Sequence, residues 1–293
     1  MKKIPVDVLS IVKDIKDMKI RGAGRIARAA VKALKIAAEK YNGRDVGEFL
    51  KYMEEIATLL LRTRPTAVSL PNAVSFVMTR LKKSSATNVD YLKTEVVNAA
   101  NEFIHSSLKA LEIIGEIGSK LIENGDTILT HCHSSAVVTI LKKAKARDKE
   151  FKVFVDETRP RYQGRITYKE LSSIGIDATL IPDSTIGLIM RKIDKVLVGA
   201  DAIASNGAVV NKIGTSQVAL VAYKHSIAFY VAAETYKFSP MTLIGELIVI
   251  EERAPTEVVS KEWLSKHPKI KVMNPVFDIT PPEYISAIIT EIR

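Results

Sequence analysis

The chain has 293 residues, 47% of them hydrophobic and 26% charged, with a formal net charge of +10 and one cysteine. That length holds two domains, or one domain with a sizeable helical extension. A single cysteine excludes an intramolecular disulfide and a thiolate zinc cage, and no apolar run reaches the roughly 18 to 20 residues that span a bilayer. The opening MKKIPVDVLS has two lysines without an apolar stretch behind them, so it reads as no signal peptide, and the chain as cytosolic. Basic residues are spread along the chain and interleaved with acids, as in Lys13-Asp14-Ile15-Lys16-Asp17. No Arg-rich tail or aromatic-interleaved basic patch marks a specific nucleic-acid partner, whereas a diffuse positive field also serves phosphorylated small molecules.

The first hundred or so residues read as helices. Ile11–Ile20 looks helical, and residues 25–40 place Ile26, Ala29, Ala30, Ala33, Leu34 and Ala37 on one face before Asn42-Gly43 stops the run. Further helices are predicted over Asp45–Leu61, from Pro71 through Leu81, and over Val89–Glu123, where Gly115 and Gly118 point to close packing. After Asn124-Gly125-Asp126 the pattern changes. Short apolar runs at 127–130, 152–155, 178–181, 195–198 and 227–232 alternate with helical segments at 136–146, 169–173, 185–191 and 217–225. Thr280-Pro281-Pro282 marks a rigid turn before a last helix. The expected architecture is α/β: a helical N-terminal domain over 1–108, then a Rossmann-like, doubly wound parallel-sheet domain over 109–293.

Ligands of such sheets bind beyond the carboxyl ends of the strands, and polar residues gather there. The five strands are followed by His131-Cys132-His133-Ser134-Ser135, by Asp156-Glu157-Thr158-Arg159-Pro160 with Gln163-Gly164, by Pro182-Asp183-Ser184, by Gly199-Ala200-Asp201 with Asn211-Lys212-Ile213-Gly214-Thr215, and by Glu234-Thr235-Tyr236-Lys237. A lone cysteine is ordinarily a small buried hydrophobe. Cys132, however, precedes a helix start, which favours a thiolate. His131 and His133 alternate to opposite faces with no third ligand at a suitable spacing, so they read as structural and no metal is expected. Asp201 is either a turn cap or, among apolar neighbours, a carboxyl with a raised pKa suited to a general acid. Asn211–Thr215 is either a loop ending in an N-cap threonine or a phosphate site at a helix start. Arg21-Gly22-Ala23-Gly24 before a helix has no strand ahead of it, which argues against a dinucleotide fingerprint but leaves an anion site. Arg64-Pro65-Thr66 offers a second arginine in a rigid turn.

The segments RGAG, TRPTAVSLPNA, THCHS, ETRP with QG, GADAI, NGAVVNKIGT and AAETYKF, in this order, resemble the family that unites archaeal ribose-1,5-bisphosphate isomerase, methylthioribose-1-phosphate isomerase and the α, β and δ subunits of translation initiation factor 2B. The resemblance runs from about Val6 to Ile292 and is closest to the bisphosphate isomerases. It implies a proton acceptor at Cys132 and a proton donor at Asp201. It also implies substrate contacts at Arg21, Gly22, Ala23, Gly24, Arg64, Ser134, Ser135, Ala136, Asn211, Lys212 and Lys237, with Gln163 as a further contact. It implies no cofactor, AMP as an allosteric activator, and dimers that assemble into hexamers. Relatives often carry a lysine where this chain has Ser135, and usually continue through a GIIPP-like tail that contributes to the dimer and the site region. Arg25 after Gly24, with Arg64, Lys212 and Lys237 available for two phosphates, favours a bisphosphate over a methylthioribose phosphate. The reading from another class is a regulatory subunit without catalysis; such subunits generally lack the Cys and Asp pair.

Overall fold

The structure, a computed structural model, describes residues 3–64 and 67–292. Pro65 and Thr66 of the predicted turn lie outside the described residues. The chain divides into two compact units, one of residues up to Lys109 with Tyr236–Phe238, the other of Ala110–Thr235 with the residues from Ser239 onward.

The first unit is helical: α1 (Val6–Lys16), α2 (Ala23–Glu39), α3 (Val46–Leu61), α4 (Ser69–Lys83) and the first part of α5 (Val89–Gly118). Helix α2 buries Ile26, Ala27, Ala30, Val31, Ala33, Leu34, Ala37 and Ala38, a face of mostly small residues that lets neighbouring helices approach closely. Helix α3 starts where Asp45 accepts a hydrogen bond from the Glu48 N–H at 2.7 Å, satisfying an amide that the helix leaves open. The helix predicted to Glu123 gives way to a 3-10 turn at Ser119–Leu121. A Cβ on Gly118 would lie 2.4 Å from Ile140 Cδ1, and one on Gly115 2.7 Å from Thr139 Cγ2, so both glycines answer to close packing against the helix that carries those residues.

The second unit is built on a six-stranded parallel sheet of order β3-β2-β1-β4-β7-β9, formed by β1 (Thr127–Thr130), β2 (Lys152–Asp156), β3 (Asp177–Ile181), β4 (Lys195–Gly199), β7 (Ala228–Ala232) and β9 (Ala287–Ile289). Helices α6 (Ser135–Lys145), α7 (Gly164–Ser172), α8 (Ile186–Ile189) and α9 (Thr215–Lys224) connect the strands. Both faces of the central strands are covered. Ile128, Val153, Val155, Leu197 and Ala232 enter one core cluster, while Leu129, Val196, Val198, Phe229 and Val231 enter the other. This period-two division is why the runs read as continuously apolar. The run at 178–181 is instead an edge, with Thr179 and Leu180 exposed.

Three features differ from the sequence reading. Helix α7 begins at Gly164 rather than Lys169, because a Cβ there would fall 1.6 Å from the Asp156 carbonyl oxygen and only glycine lets the helix start against β2. No last helix follows Thr280-Pro281-Pro282. A 3-10 turn at Pro282–Tyr284 leads into β9, whose branched Ile288 and Ile289 pair with the open side of β7. A second sheet, antiparallel and of order β5-β6-β8, joins β5 (Ala202–Ile203), β6 (Val209–Lys212) and β8 (Phe277–Thr280). Asn206-Gly207 turns the β5–β6 hairpin with Gly207 at φ 85°. A short helix α10 (Lys261–Lys266) and 3-10 turns at Pro240–Ile244 and Pro255–Glu257 punctuate the largely irregular stretch before β8. Among the described residues no helix is long and apolar enough to cross a membrane.

Candidate active site

From β1 the chain winds outward through β2 to β3, then returns to lay β4 on the other side of β1. That reversal opens a crevice at the carboxyl ends of β1 and β4. Cys132 follows β1 and Asp201 follows β4, each half-buried. The Asp201 N–H donates to the Val210 carbonyl at 2.9 Å, which ties the strand end to the β5–β6 hairpin.

Cys132 has φ 67°, the left-handed region, which costs an L-residue roughly 1–2 kcal/mol. Its N–H donates to Thr158 Oγ1 at 2.9 Å and its carbonyl accepts from Thr167 Oγ1 at 2.9 Å. Burial pushes the Cys132 thiol up to about 12; the Lys212 charge and the His133 N–H pull it back, while Asp201 and Asp156 add to the rise. The resting group is therefore a thiol, not the thiolate expected from a helix start. Helix α6 begins at Ser135 with Ser134 as its cap, so Cys132 lies outside the first turn and desolvation prevails.

His131 and His133 diverge as alternation predicts. His131, 2% exposed, directs Nδ1 at Asp156 Oδ2 (2.5 Å) and Nε2 at the Ile213 carbonyl (2.9 Å). Both neighbours are acceptors, so the ring is held as an imidazolium. Burial works against that charge, but the Asp156 carboxylate and the Ile213 carbonyl prevail and the His131 pKa is raised. The ring needs Gly214, where a Cβ would sit 2.8 Å from His131 Cε1. His133 Nδ1 meets Thr167 Oγ1 at 3.0 Å. Among the described residues no group of three or more His, Cys, Asp or Glu side chains is placed to hold a metal ion.

Asn211 and Lys212 lie on strand β6, not in a loop. Asn211 Nδ2 donates to Thr215 Oγ1 (3.0 Å), and Lys212 Nζ donates to the Val276 carbonyl (3.0 Å) above the Phe277 ring. Burial lowers the Lys212 pKa, opposed by the charges of Cys132 and Asp201. The structure thus brings Cys132, Asp201 and Lys212 into one electrostatic cluster. The phosphate cradle expected at the start of α9 is already filled. Gly214 rather than Thr215 is the cap, and the Asp278 carboxylate accepts from the Gly214 N–H at 2.7 Å and the Ser216 N–H at 3.1 Å. Burial raises the Asp278 pKa, and those two amides oppose the rise.

Ser134 caps α6 by accepting from the Val137 N–H, which leaves Ser135 and Ala136 on the first turn. A Cβ on Gly199 would lie 2.4 Å from Ser134 Oγ, so glycine in GADAI lets β4 pass beside the cap. Gln163 caps α7, and its buried Oε1 has no hydrogen-bond partner among the described residues.

The remaining predicted residues belong to the helical unit. Gly22 caps α2 at φ 85°, followed by Ala23 and Gly24 in the first turn. Arg21 Nε donates to the Met18 carbonyl at 2.6 Å, and Arg64 NH1 lies 2.9 Å from Met18 Sδ, so the two guanidinium groups share one neighbour near the start of α2. Lys237 is buried beside Tyr236, whose hydroxyl meets Ser107 Oγ at 3.1 Å.

Residues 19–292 match the model of the initiation factor 2 subunit family. The chain belongs to that family. Among family members, the ribose 1,5-bisphosphate isomerase of Thermococcus kodakarensis is 53% identical over 97% of this chain and 89% of its own length. A methylthioribose-1-phosphate isomerase of Thermosipho africanus is 43% identical over 94% of this chain and 83% of its own length. In fold, the crystal structure of Pyrococcus horikoshii translation initiation factor eIF-2B superposes with a TM-score of 0.83 at 34% identity, covering 98% of this chain and 96% of that one.

Sequence reasoning did not single out Thr158, Thr167 or Asp278. Thr158 stands inside the polar run after β2, but Thr167 and Asp278 carry no local signal, because each acts on a residue distant in sequence.

Proposed function

We propose that this chain is an isomerase that converts ribose 1,5-bisphosphate to ribulose 1,5-bisphosphate. The observation that carries the reading is the pair Cys132 and Asp201 on adjacent strand ends at the reversal of the sheet, with Lys212 within reach of both charges. The names of the relatives at 53% identity in Thermococcus kodakarensis and Pyrococcus furiosus support the substrate.

A phosphate on O1 prevents the free aldehyde of an ordinary aldose isomerisation. Asp201 protonates the ring oxygen as its bond to C1 breaks, leaving a cationic C1. Cys132 as thiolate removes the C2 proton, giving an enol phosphate across C1 and C2. Cys132 then returns that proton to C1, and the C2 hydroxyl yields its proton to Asp201 as the ketone forms. Both groups end as they began. The working form has one proton on Asp201 and none on Cys132, and it carries the same net charge as the resting thiol and carboxylate. A single proton shared by the pair makes the titration macroscopic and the rate bell-shaped in pH.

Arg21, Arg64, Lys212 and Lys237 are assigned to the phosphates, and Gly22–Gly24, Ser134–Ala136, Gln163 and Asn211 to the rest of the substrate. We assign the chain to the cytosol, with AMP as activator and no cofactor. Exposed Leu243, Ile244, Leu247 and Val249, four large apolar side chains in seven positions, support assembly into dimers and hexamers.

The test is conversion of ribose 1,5-bisphosphate by the purified protein with and without AMP. Cys132→Ser and Asp201→Asn should each lose about 10²-fold or more in turnover while keeping substrate affinity. Absence of turnover in the parent protein overturns the proposal. The likeness to the Pyrococcus horikoshii factor favours a second reading, a regulatory subunit, which predicts no rise in melting temperature with the bisphosphate.

A further inference from the structure

We infer that the hydroxyls of Thr158 and Thr167 position Cys132 for proton transfer by clamping its N–H and its carbonyl in a left-handed conformation. The inference rests on the role proposed above for Cys132. Three observations carry it.

Two non-glycine residues in direct hydrogen bond, Cys132 and Thr158, both have left-handed φ, 67° and 59°. A β-branched residue is a steric outlier there, and glycine would adopt the same backbone freely. Threonine at 158 therefore answers to its side chain, whose hydroxyl is engaged on both sides. The direction of each bond is also fixed. Thr158 has one hydroxyl proton, and the acceptor carboxylate Asp156 Oδ1 lies 2.8 Å away, so its oxygen is left to receive the Cys132 N–H. Thr167 gives its proton to the Cys132 carbonyl, so His133 must carry a proton on Nδ1 to complete the 3.0 Å contact.

Both clamps, finally, are rooted in rigid structure. Thr158 and Thr167 are 0% and 1% exposed. Asp156 is held from its other oxygen by His131, and Thr167 rides on α7, whose first residue Gly164 is pressed against the Asp156 carbonyl. Held at both ends, Cys132 keeps a fixed backbone from which its sulfur meets the His133 N–H and the Lys212 charge, the two groups that favour its ionised form. Strain of this kind persists where the surroundings over-determine the backbone, which is what two hydroxyls on one residue do.

Because the chain has one cysteine, alkylation by iodoacetamide reports on Cys132 alone and needs no substrate. Thr158→Val and Thr167→Val keep shape and remove the hydroxyl. Each should lower kcat about 10- to 100-fold with KM unchanged within about twofold, the signature of a misplaced reacting group. Each should also slow alkylation about 10-fold at any fixed pH where the thiol is mostly protonated, which shifts the rate–pH profile. Thr158→Ser and Thr167→Ser, which retain the hydroxyl, should restore both readouts. Should Thr158→Val fail to fold, Thr167→Val decides, since its hydroxyl holds the opposite end of the same residue. Valine variants with the parent's kcat and alkylation profile overturn the clamp, as do serine variants as impaired as valine. If the parent lacks isomerase turnover but the valine variants still shift the alkylation profile, the clamp stands and the assigned reaction falls. If the parent is active and the profile does not move, the reverse holds.

Discussion

Two helices of the sheet unit begin at the carboxyl ends of its strands, and they treat their first-turn amides differently. Helix α6 is capped by the neutral hydroxyl of Ser134, beside a β4 whose Gly199 leaves room for that cap. Helix α9 has the more conspicuous sequence signal, Asn-Lys-Ile-Gly-Thr, yet its amides hold the Asp278 carboxylate. A helix N-terminus attracts one anion. The chain fills one start with its own carboxylate and caps the other with a neutral group. His131 ties them together: it precedes Cys132 on the approach to α6, and its Nε2 reaches Ile213 on the approach to α9.

The largest effect should come from cutting that tie. Asp156→Asn leaves the buried His131 charge without its counter-ion, and breaking a buried pair costs about 3–5 kcal/mol. Denaturant unfolding should show the loss. The pH dependence makes the test specific. The folded ring holds its proton more tightly than the unfolded chain, so its contribution is complete below about pH 6.5 and is lost as pH rises through the folded pKa. Parent stability should fall across that window, and the Asp156→Asn curve should be flatter there. An unchanged slope would mean that His131 is not the titrating group.

Next in size is Ser134→Asp, which makes the start of α6 resemble that of α9. Aspartate caps as well as serine, so folding stability should hold. A carboxylate facing a bound phosphate costs several kcal/mol, so affinity for the sugar bisphosphate should fall about 100-fold, read as KM or by calorimetry. Unaltered affinity would remove α6 from the phosphate site.

The comparison also shows what was legible in the chain. Strand alternation, the helical first unit and the crowding of polar residues after β1, β2 and β4 follow from local pattern, because a sheet buried on both faces writes itself as apolar runs. That Cys132 and Asp201 follow strands was legible for the same reason. The partners of those strand ends were not. Asp278 acts on a residue 64 positions away and Thr167 on one 35 positions away, and nothing beside either residue announces it. The second sheet was missed for the same reason: β8 pairs with β6 across the irregular stretch between them, and β5 is two residues long. The thiolate assigned to Cys132 failed on desolvation, a property of its surroundings in space rather than of its neighbours in sequence.

The smallest predicted effect isolates the filled helix start. Asp278→Asn keeps the shape of the side chain and an acceptor oxygen for the Gly214 and Ser216 amides while removing the charge that complements α9. The helix terminus offers that charge about 0.3–1 kcal/mol, but burial outweighs it and raises the Asp278 pKa, so folding stability at neutral pH should hold or rise slightly. The change should be smaller still at acid pH. Burial raises the Asp278 pKa, so the parent side chain protonates above the usual carboxylate range and already resembles the amide there. Substrate affinity should stay within about twofold, since α9 already holds an anion of its own and need not contact phosphate. Tighter binding of the bisphosphate by Asp278→Asn would break the comparison from the other side: it would show that Asp278 competes with the substrate for the same amides, and that α9, like α6, faces the phosphate.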